Sequence, residues 1–302
     1  MSKKYQTMIW IFLIYIVAFA IGGLTFFYLI DLLNPASYIP VLLIGNVVAT
    51  LVVWLFTLLL KNASVYDPYW SVAPPVILVF VIIYLNITIN LSNFLLIVGM
   101  MIWSVRLTYN WARNWTGFGE QDWRYTMLYQ KSPKLFFFTN LFGIQLMPTM
   151  IVFIQLIGAV YFLIQTPAIN PIIALGALMM VAAALIQYVA DQQMKNFKER
   201  HQIEKRCIEE GLWKYSRHPN YFGEVMVWWG LYIMYFGSTL KLDLIILAPL
   251  AMTALFLFIS IPMMEKKILK TRPEYASYQE RVSMLIPFLR KENEEQPVQE
   301  NS

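Results

Sequence analysis

Apolar stretches long enough to cross a bilayer recur along the chain at residues 8–30, 39–60, 72–88, 93–110, 135–165, 171–192, 220–237 and 243–264. A spanning helix needs about 20 predominantly apolar residues, so the pattern predicts an all-α, polytopic transmembrane helix bundle of about eight spans. The 135–165 run is long for one span and contains Pro148, which predicts either a kinked helix or a re-entrant piece followed by a span. The first run exceeds a signal-peptide core of about 7–15 residues and is read as a retained span. Short connections, "DLLNPAS", "NITINLSN", "QTPAINP" and "GSTLKLD", alternate with two long ones at 111–134 and 193–219. Residues 1–290 therefore read as a single integral membrane domain, the spans within 1–64 being accessory. The polar "KENEEQPVQENS" (291–302) reads as a disordered tail.

Composition agrees with this pattern. Apolar residues make up 59% of the chain and charged ones 14%, against about 25% charged in a typical soluble domain. The net charge of +5 would suit a nucleic-acid partner, but the distribution of the basic residues argues for topology instead. With the N-terminus inside, every Lys and Arg except Lys241 falls on the inner side of the predicted spans. That asymmetry predicts both termini in the cytoplasm and no nucleic-acid partner. The outer loops are short and nearly uncharged, which directs any chemistry to the inner side. Cys207 is the single cysteine, so no internal disulfide is possible. Two histidines and no cysteine cluster predict no metal site.

Ionisable groups in or beside spans are expensive, about 2.5–3.5 kcal/mol each on insertion scales, and so mark candidate sites. In "VYDPYWSVAPP" (65–75), Asp67 and Tyr69 read either as an interfacial turn or as a pair of hydrogen-bond donors in a pocket, with Asp67 partly desolvated and protonated. In "WSVRLTYNWARNWTGFGEQDWRYTMLYQ" (103–130), Arg106, Asn110 and Arg113 recur at helical spacing and form a basic face. The "GFG" there is too weak for a phosphate-binding fingerprint. In "ALIQYVADQQMKNFKER" (184–200), Gln187, Asp191, Lys195 and Lys198 share a face running from membrane to cytosol. Asp191 with Lys195 is also an ordinary i, i+4 pair.

In "SRHPNYFGEVMVWWG" (216–230), Pro219 fits the first turn of a helix and puts Asn220, Glu224 and Trp228 on one face. Arg217 and His218 precede that N-terminus, where an anion such as a phosphate would be welcome; Glu224 could instead simply answer the helix dipole. In "EKKILKTRPEYASYQERVSMLIPF" (265–288), a short amphipathic element with Tyr275, Tyr278 and Arg281 reads as a lipid-facing basic helix or as a lid over an inner site.

The run "GLWKYSRHPNYFGEVMVWWG", followed after a span by "YASYQERVSMLIPF", resembles the steroid 5α-reductase-like superfamily. The likeness is closer to its bacterial branch of uncharacterised membrane proteins, to which "DPYWS", "WSVRLTYNW" and "EQDWRY" also conform. It covers about residues 60 to 290 and makes 65–290 the family-like catalytic bundle. What it implies is an NADPH-dependent oxidoreductase acting on CH–CH groups, reducing the conjugated C=C of a steroid-like or isoprenoid lipid. The implied setting is a bacterial inner membrane with the active site towards the cytoplasm, and the implied partners are a lipophilic small molecule and membrane lipid.

By this resemblance Asn220 and Glu224 match cofactor-contacting residues, Asp191 an acidic position, and Tyr278 a cofactor-lining tyrosine. Gln187 stands where relatives carry Asn, and Lys195 and Lys198 where they carry Arg. Arg113, Lys195, Lys198 and Arg217 would serve the cofactor phosphates, with His218 beside them. The family's carbonyl-polarising Glu and Tyr have no match by motif, so Asp67 and Tyr69 stand in by location. Membrane isoprenylcysteine-type methyltransferases share the "RHP-x-Y" signature and imply S-adenosylmethionine instead. A lipid-binding or transporting protein is the non-enzymatic alternative, although transport sites usually lie near the midplane.

Overall fold

The computed structural model describes residues 3–34, 37–201 and 206–289. The tail predicted to be disordered, 291–302, lies outside them. Among the described residues the chain is all-helical, without strands. It begins with α1 (Lys3–Leu33) and α2 (Ile39–Leu59), then a 3-10 turn at Ala63–Tyr66 leads into α3 (Tyr69–Tyr84). Next come α4 (Leu91–Asn114) and the short α5 (Trp123–Lys131). The long runs α6 (Pro133–Gln165) and α7 (Pro171–Arg200) follow, then α8 (Pro219–Thr239), α9 (Leu244–Thr271) and the short α10 (Tyr275–Arg281).

Seven of these, α1 to α4 with α6, α7 and α9, are long and apolar enough to cross a membrane, which makes this an integral membrane protein. The predicted seventh of eight spans is observed as α8. It has 21 residues, but Glu224 and its Trp, Tyr and Gly residues leave it less apolar than the other seven.

Proline chemistry shapes three of the spans. The region around Pro148 is one continuous helical run, with a π-helical segment at Thr139–Leu146 where Met147 N–H donates to the carbonyl of Phe142, five residues back. Proline offers no N–H to the carbonyl four residues back, so a slip of the ladder by one residue keeps neighbouring groups paired. The same device precedes Pro262, where Ile261 N–H donates to Phe256 across the π-helical Phe256–Ser260. In α3, Pro75 leaves the Ser71 carbonyl without its helical donor, and Ser104 Oγ of α4 donates to it at 2.7 Å. Within hydrocarbon an unsatisfied backbone group costs several kcal/mol, which favours such repairs.

The chain divides into two compact units, the first comprising Met1–Ala177 with Leu231–Ala248 and the second Leu178–Gly230 with Pro249–Ser302. In the first unit α1 and α2 meet at Gly22 and Gly45, where a Cβ on Gly22 would lie 2.6 Å from the Gly45 carbonyl oxygen. Lipid gives helices no hydrophobic reason to associate, so such close packing supplies the attraction. Hydroxyls link Tyr66 to Thr149 at 2.7 Å and Thr149 to Thr50 at 3.1 Å. In the second unit, Ala190, Phe197, Ile208 and Trp213 form one buried apolar cluster, and Tyr275, Tyr278 and Val282 form another.

Candidate functional site

The second unit gathers most of the polar residues singled out in the sequence. α8 starts at Pro219, as predicted, so Asn220, Glu224 and Trp228 lie on one face. Trp228 Nε1 donates to Glu224 Oε1 at 3.1 Å, and Gln187 Nε2 of α7 donates to Glu224 Oε2 at 2.6 Å. Gln187 Nε2 also reaches the Asn220 carbonyl at 3.3 Å, while Asn220 Nδ2 donates to Asp191 Oδ1 at 3.3 Å. Gln187 and Glu224 are 1% and 3% exposed. Two helices thus place an amide and a carboxylate together in the interior.

Gly223 permits this approach. A Cβ there would fall 2.4 Å from Gln187 Cγ and 2.7 Å from the Ala183 carbonyl oxygen. Gly223→Val is accordingly expected to cost about 1–3 kcal/mol by overpacking and to lower the thermal midpoint of the purified protein. An unchanged midpoint would show that the two helices have slack. Gln187 Oε1 is buried and has no hydrogen-bond partner. An unsatisfied buried acceptor costs about 1–3 kcal/mol, so this atom suits a donor brought by a ligand.

Arg217 and His218 are 8% and 4% exposed and converge on Glu265 of α9, itself 7% exposed. Arg217 Nε lies 2.7 Å from Glu265 Oε1, and His218 Nε2 lies 3.0 Å from the same oxygen. Tyr275 OH donates to that oxygen at 3.0 Å, and Gln279 Nε2 donates to Glu265 Oε2 at 2.7 Å. Arg217 Nη1 spends its remaining donors on the carbonyls of Gln279 and Val282, at 2.7 and 2.8 Å. Main-chain bonds from Arg217 N to Ser283 O and from Phe288 N to Tyr215 O complete a lock between the "SRHP" turn and the C-terminal segment.

Tyr278, the expected cofactor-lining tyrosine, donates its hydroxyl to the Trp213 carbonyl at 2.5 Å. Burial, then the Glu209 carboxylate, hold that hydroxyl well above the usual tyrosine range; burial and Glu265 do the same for Tyr275. Both therefore remain hydrogen-bond donors at neutral pH. The Cys207 thiol is pushed up to about 11 by burial and by Glu274. It is protonated at neutral pH and a poor nucleophile.

The other predicted residues are dispersed. Lys195 lies 3.6 Å from Glu199, and Lys198 is exposed. Asp67, Tyr69 and Arg113 belong to the first unit. There the half-buried Asp67 accepts a 2.6 Å hydrogen bond from Tyr125 OH, whose own ionisation is suppressed by burial and by Asp67. Tyr69 OH is buried 3.5 Å from Asn46 Oδ1, and Arg113 Nη2 donates to Asn110 Oδ1 at 2.9 Å. Sequence reasoning missed the role of Glu265, which reads in the chain as one acid beside Lys266 and Lys267. It also missed Gln279 and Tyr125, whose partners are remote in sequence. Among the described residues no group of His, Cys, Asp and Glu could hold a metal ion.

Comparison with known proteins adds three findings. The profile of the family described as "Protein of unknown function (DUF1295)" matches residues 53–282. An uncharacterized protein of Schizosaccharomyces pombe is 26% identical over 290 residues, covering 82% of this chain and 77% of its own length. Methanethiol S-methyltransferase 1 of Bradyrhizobium diazoefficiens is 34% identical over 80 residues, 26% of this chain and 25% of that enzyme. No solved structure matches the chain.

Proposed function

Since the chain belongs to the DUF1295 family and shares an 80-residue likeness with a methyltransferase, we propose that it is a membrane-embedded, S-adenosylmethionine-dependent methyltransferase. Its acceptor would be a lipophilic thiol or a similarly soft nucleophile. The observation that carries the reading is the buried carboxylate of Glu224, held by the neutral N–H groups of Gln187 and Trp228. A buried negative charge of this kind suits a sulfonium and the ammonium of a methionine moiety. The cofactor would supply an activated methyl group for the acceptor sulfur, whose thiol proton would be given up to solvent.

Within this reading Glu224 and Asp191 provide negative charge, and Asn220 and the unpartnered Gln187 Oε1 provide hydrogen-bonding capacity for polar groups. Gln187 and Trp228 fix the orientation of the carboxylate. The Arg217–Glu265 lock holds the turn from which α8 starts. The site would face the cytoplasm, on the side where the basic loops gather.

The reductase reading, with NADPH bound in the same cradle, is second because its phosphates call for cations. Arg217 and His218 are engaged by Glu265, and Lys195 lies beside Glu199. One experiment separates the two. Purified protein in detergent, titrated calorimetrically with S-adenosylmethionine and separately with NADPH, is expected to bind the first and not the second. Binding of NADPH alone would overturn the methyltransferase assignment and restore a role for Lys195 and Lys198.

A further inference from the structure

A groove between α3 and α4 lies in the first unit and has no part in the chemistry proposed above. Its volume is about 590 Å³, within the roughly 300–1,000 Å³ of small-molecule sites. Val76, Val79, Met101, Val105, Tyr109 and Ala112 wall it. Two of the three hydroxyls in its lining are engaged by other partners, Ser104 Oγ with the Ser71 carbonyl at 2.7 Å and Thr108 Oγ1 with Ser71 Oγ at 2.9 Å, and the third is the phenol of Tyr109. The groove therefore offers an occupant mainly hydrocarbon contact.

Both helices are membrane spans, so the medium that meets this groove is lipid. From Met101 to Ala112 it follows α4 for twelve residues, whose eleven steps of about 1.5 Å rise give about 16 Å. That is close to one leaflet's share of a hydrocarbon core about 30 Å thick. At the end of the groove near the α4 C-terminus the chemistry changes. The Arg113 guanidinium lies 5.8 Å from the centroid of the Tyr109 ring, which itself lines the groove. Lys4 Nζ donates to the Arg113 carbonyl at 3.0 Å, bringing a second cation to the same end. An apolar trough leading to two cations is complementary to an acyl chain that ends in a negative headgroup.

We propose that this groove holds one acyl chain of an anionic phospholipid, with the phosphate at Arg113 and Lys4. Arg113 then serves a lipid phosphate and not a cofactor's. Val105 is 59% exposed on the groove wall, so an indole there fills the groove without entering the protein core.

The test is native mass spectrometry of delipidated protein, titrated with phosphatidylglycerol or with phosphatidylcholine of the same chains. The wild type is expected to retain one phosphatidylglycerol per chain at least tenfold better than phosphatidylcholine. Val105→Trp is expected to lower retention of both about tenfold, and Arg113→Gln to lower retention of phosphatidylglycerol about tenfold, to the level of phosphatidylcholine. A diazirine on the acyl chain of phosphatidylglycerol, photolysed on the wild type, is expected to label the Met101–Ala112 stretch, a readout independent of how the variants fold. Equal retention of the two lipids by the wild type, or labelling confined to other helices, would overturn the proposal.

Discussion

Glu265→Ala is expected to destabilise the protein by about 3–5 kcal/mol, the range for removing one partner of a buried ion pair. The carboxylate is almost fully buried and meets Arg217, His218, Tyr275 and Gln279 at 2.7–3.0 Å. Its removal leaves the Arg217 guanidinium buried at 8% exposure with its main countercharge gone. The damage should extend beyond that contact, because Arg217 also ties the "SRHP" turn to the carbonyls of Gln279 and Val282. Thermal unfolding followed by tryptophan fluorescence checks this. Replacing both partners with apolar residues, as in the pair Arg217→Met and Glu265→Leu, should recover part of the loss, since no charge is then left unpaired. If Glu265→Ala unfolds at the wild-type temperature, the lock contributes nothing to the turn it holds.

The bundle was legible because long apolar runs report on the membrane directly. The helix start at Pro219 and the shared face of Asn220, Glu224 and Trp228 were legible for the same kind of reason, since both follow from local helix geometry. The π-helical slips before Pro148 and Pro262 were not, because the sequence marks the missing N–H without saying how the ladder adjusts. Nor was the fate of Arg217. In the sequence it is a cation beside a helix N-terminus, ready for an anion. In the fold, α9 returns Glu265 to it across 48 residues, and the anion is the protein's own. Local charge pointed to an anion but not to Glu265. The likeness between Tyr278 and a cofactor-lining residue has the same limit: its hydroxyl is committed to the Trp213 carbonyl.

Glu224→Gln is expected to weaken S-adenosylmethionine binding by about ten- to a hundredfold, or about 1.4–2.8 kcal/mol, while leaving S-adenosylhomocysteine binding nearly unchanged. The substitution keeps shape and volume, and the Gln187 Nε2 and Trp228 Nε1 donors can still meet an amide oxygen. What it deletes is the charge. S-adenosylmethionine is a sulfonium and its demethylated product a neutral thioether, so a purely electrostatic role for Glu224 acts on one and spares the other. A structural role would not discriminate, because a distorted α7–α8 contact would weaken both equally. Calorimetric titration of both ligands into the wild type and Glu224→Gln gives the ratio directly, with the thermal midpoint as a control for folding. An equal loss for both would assign Glu224 to holding the helices together and leave Asp191, linked to it through Asn220 and Gln187, as the acid nearest the cofactor. Discrimination by charge would also favour turnover, because a carboxylate that attracts the sulfonium loses its hold once the methyl group has left.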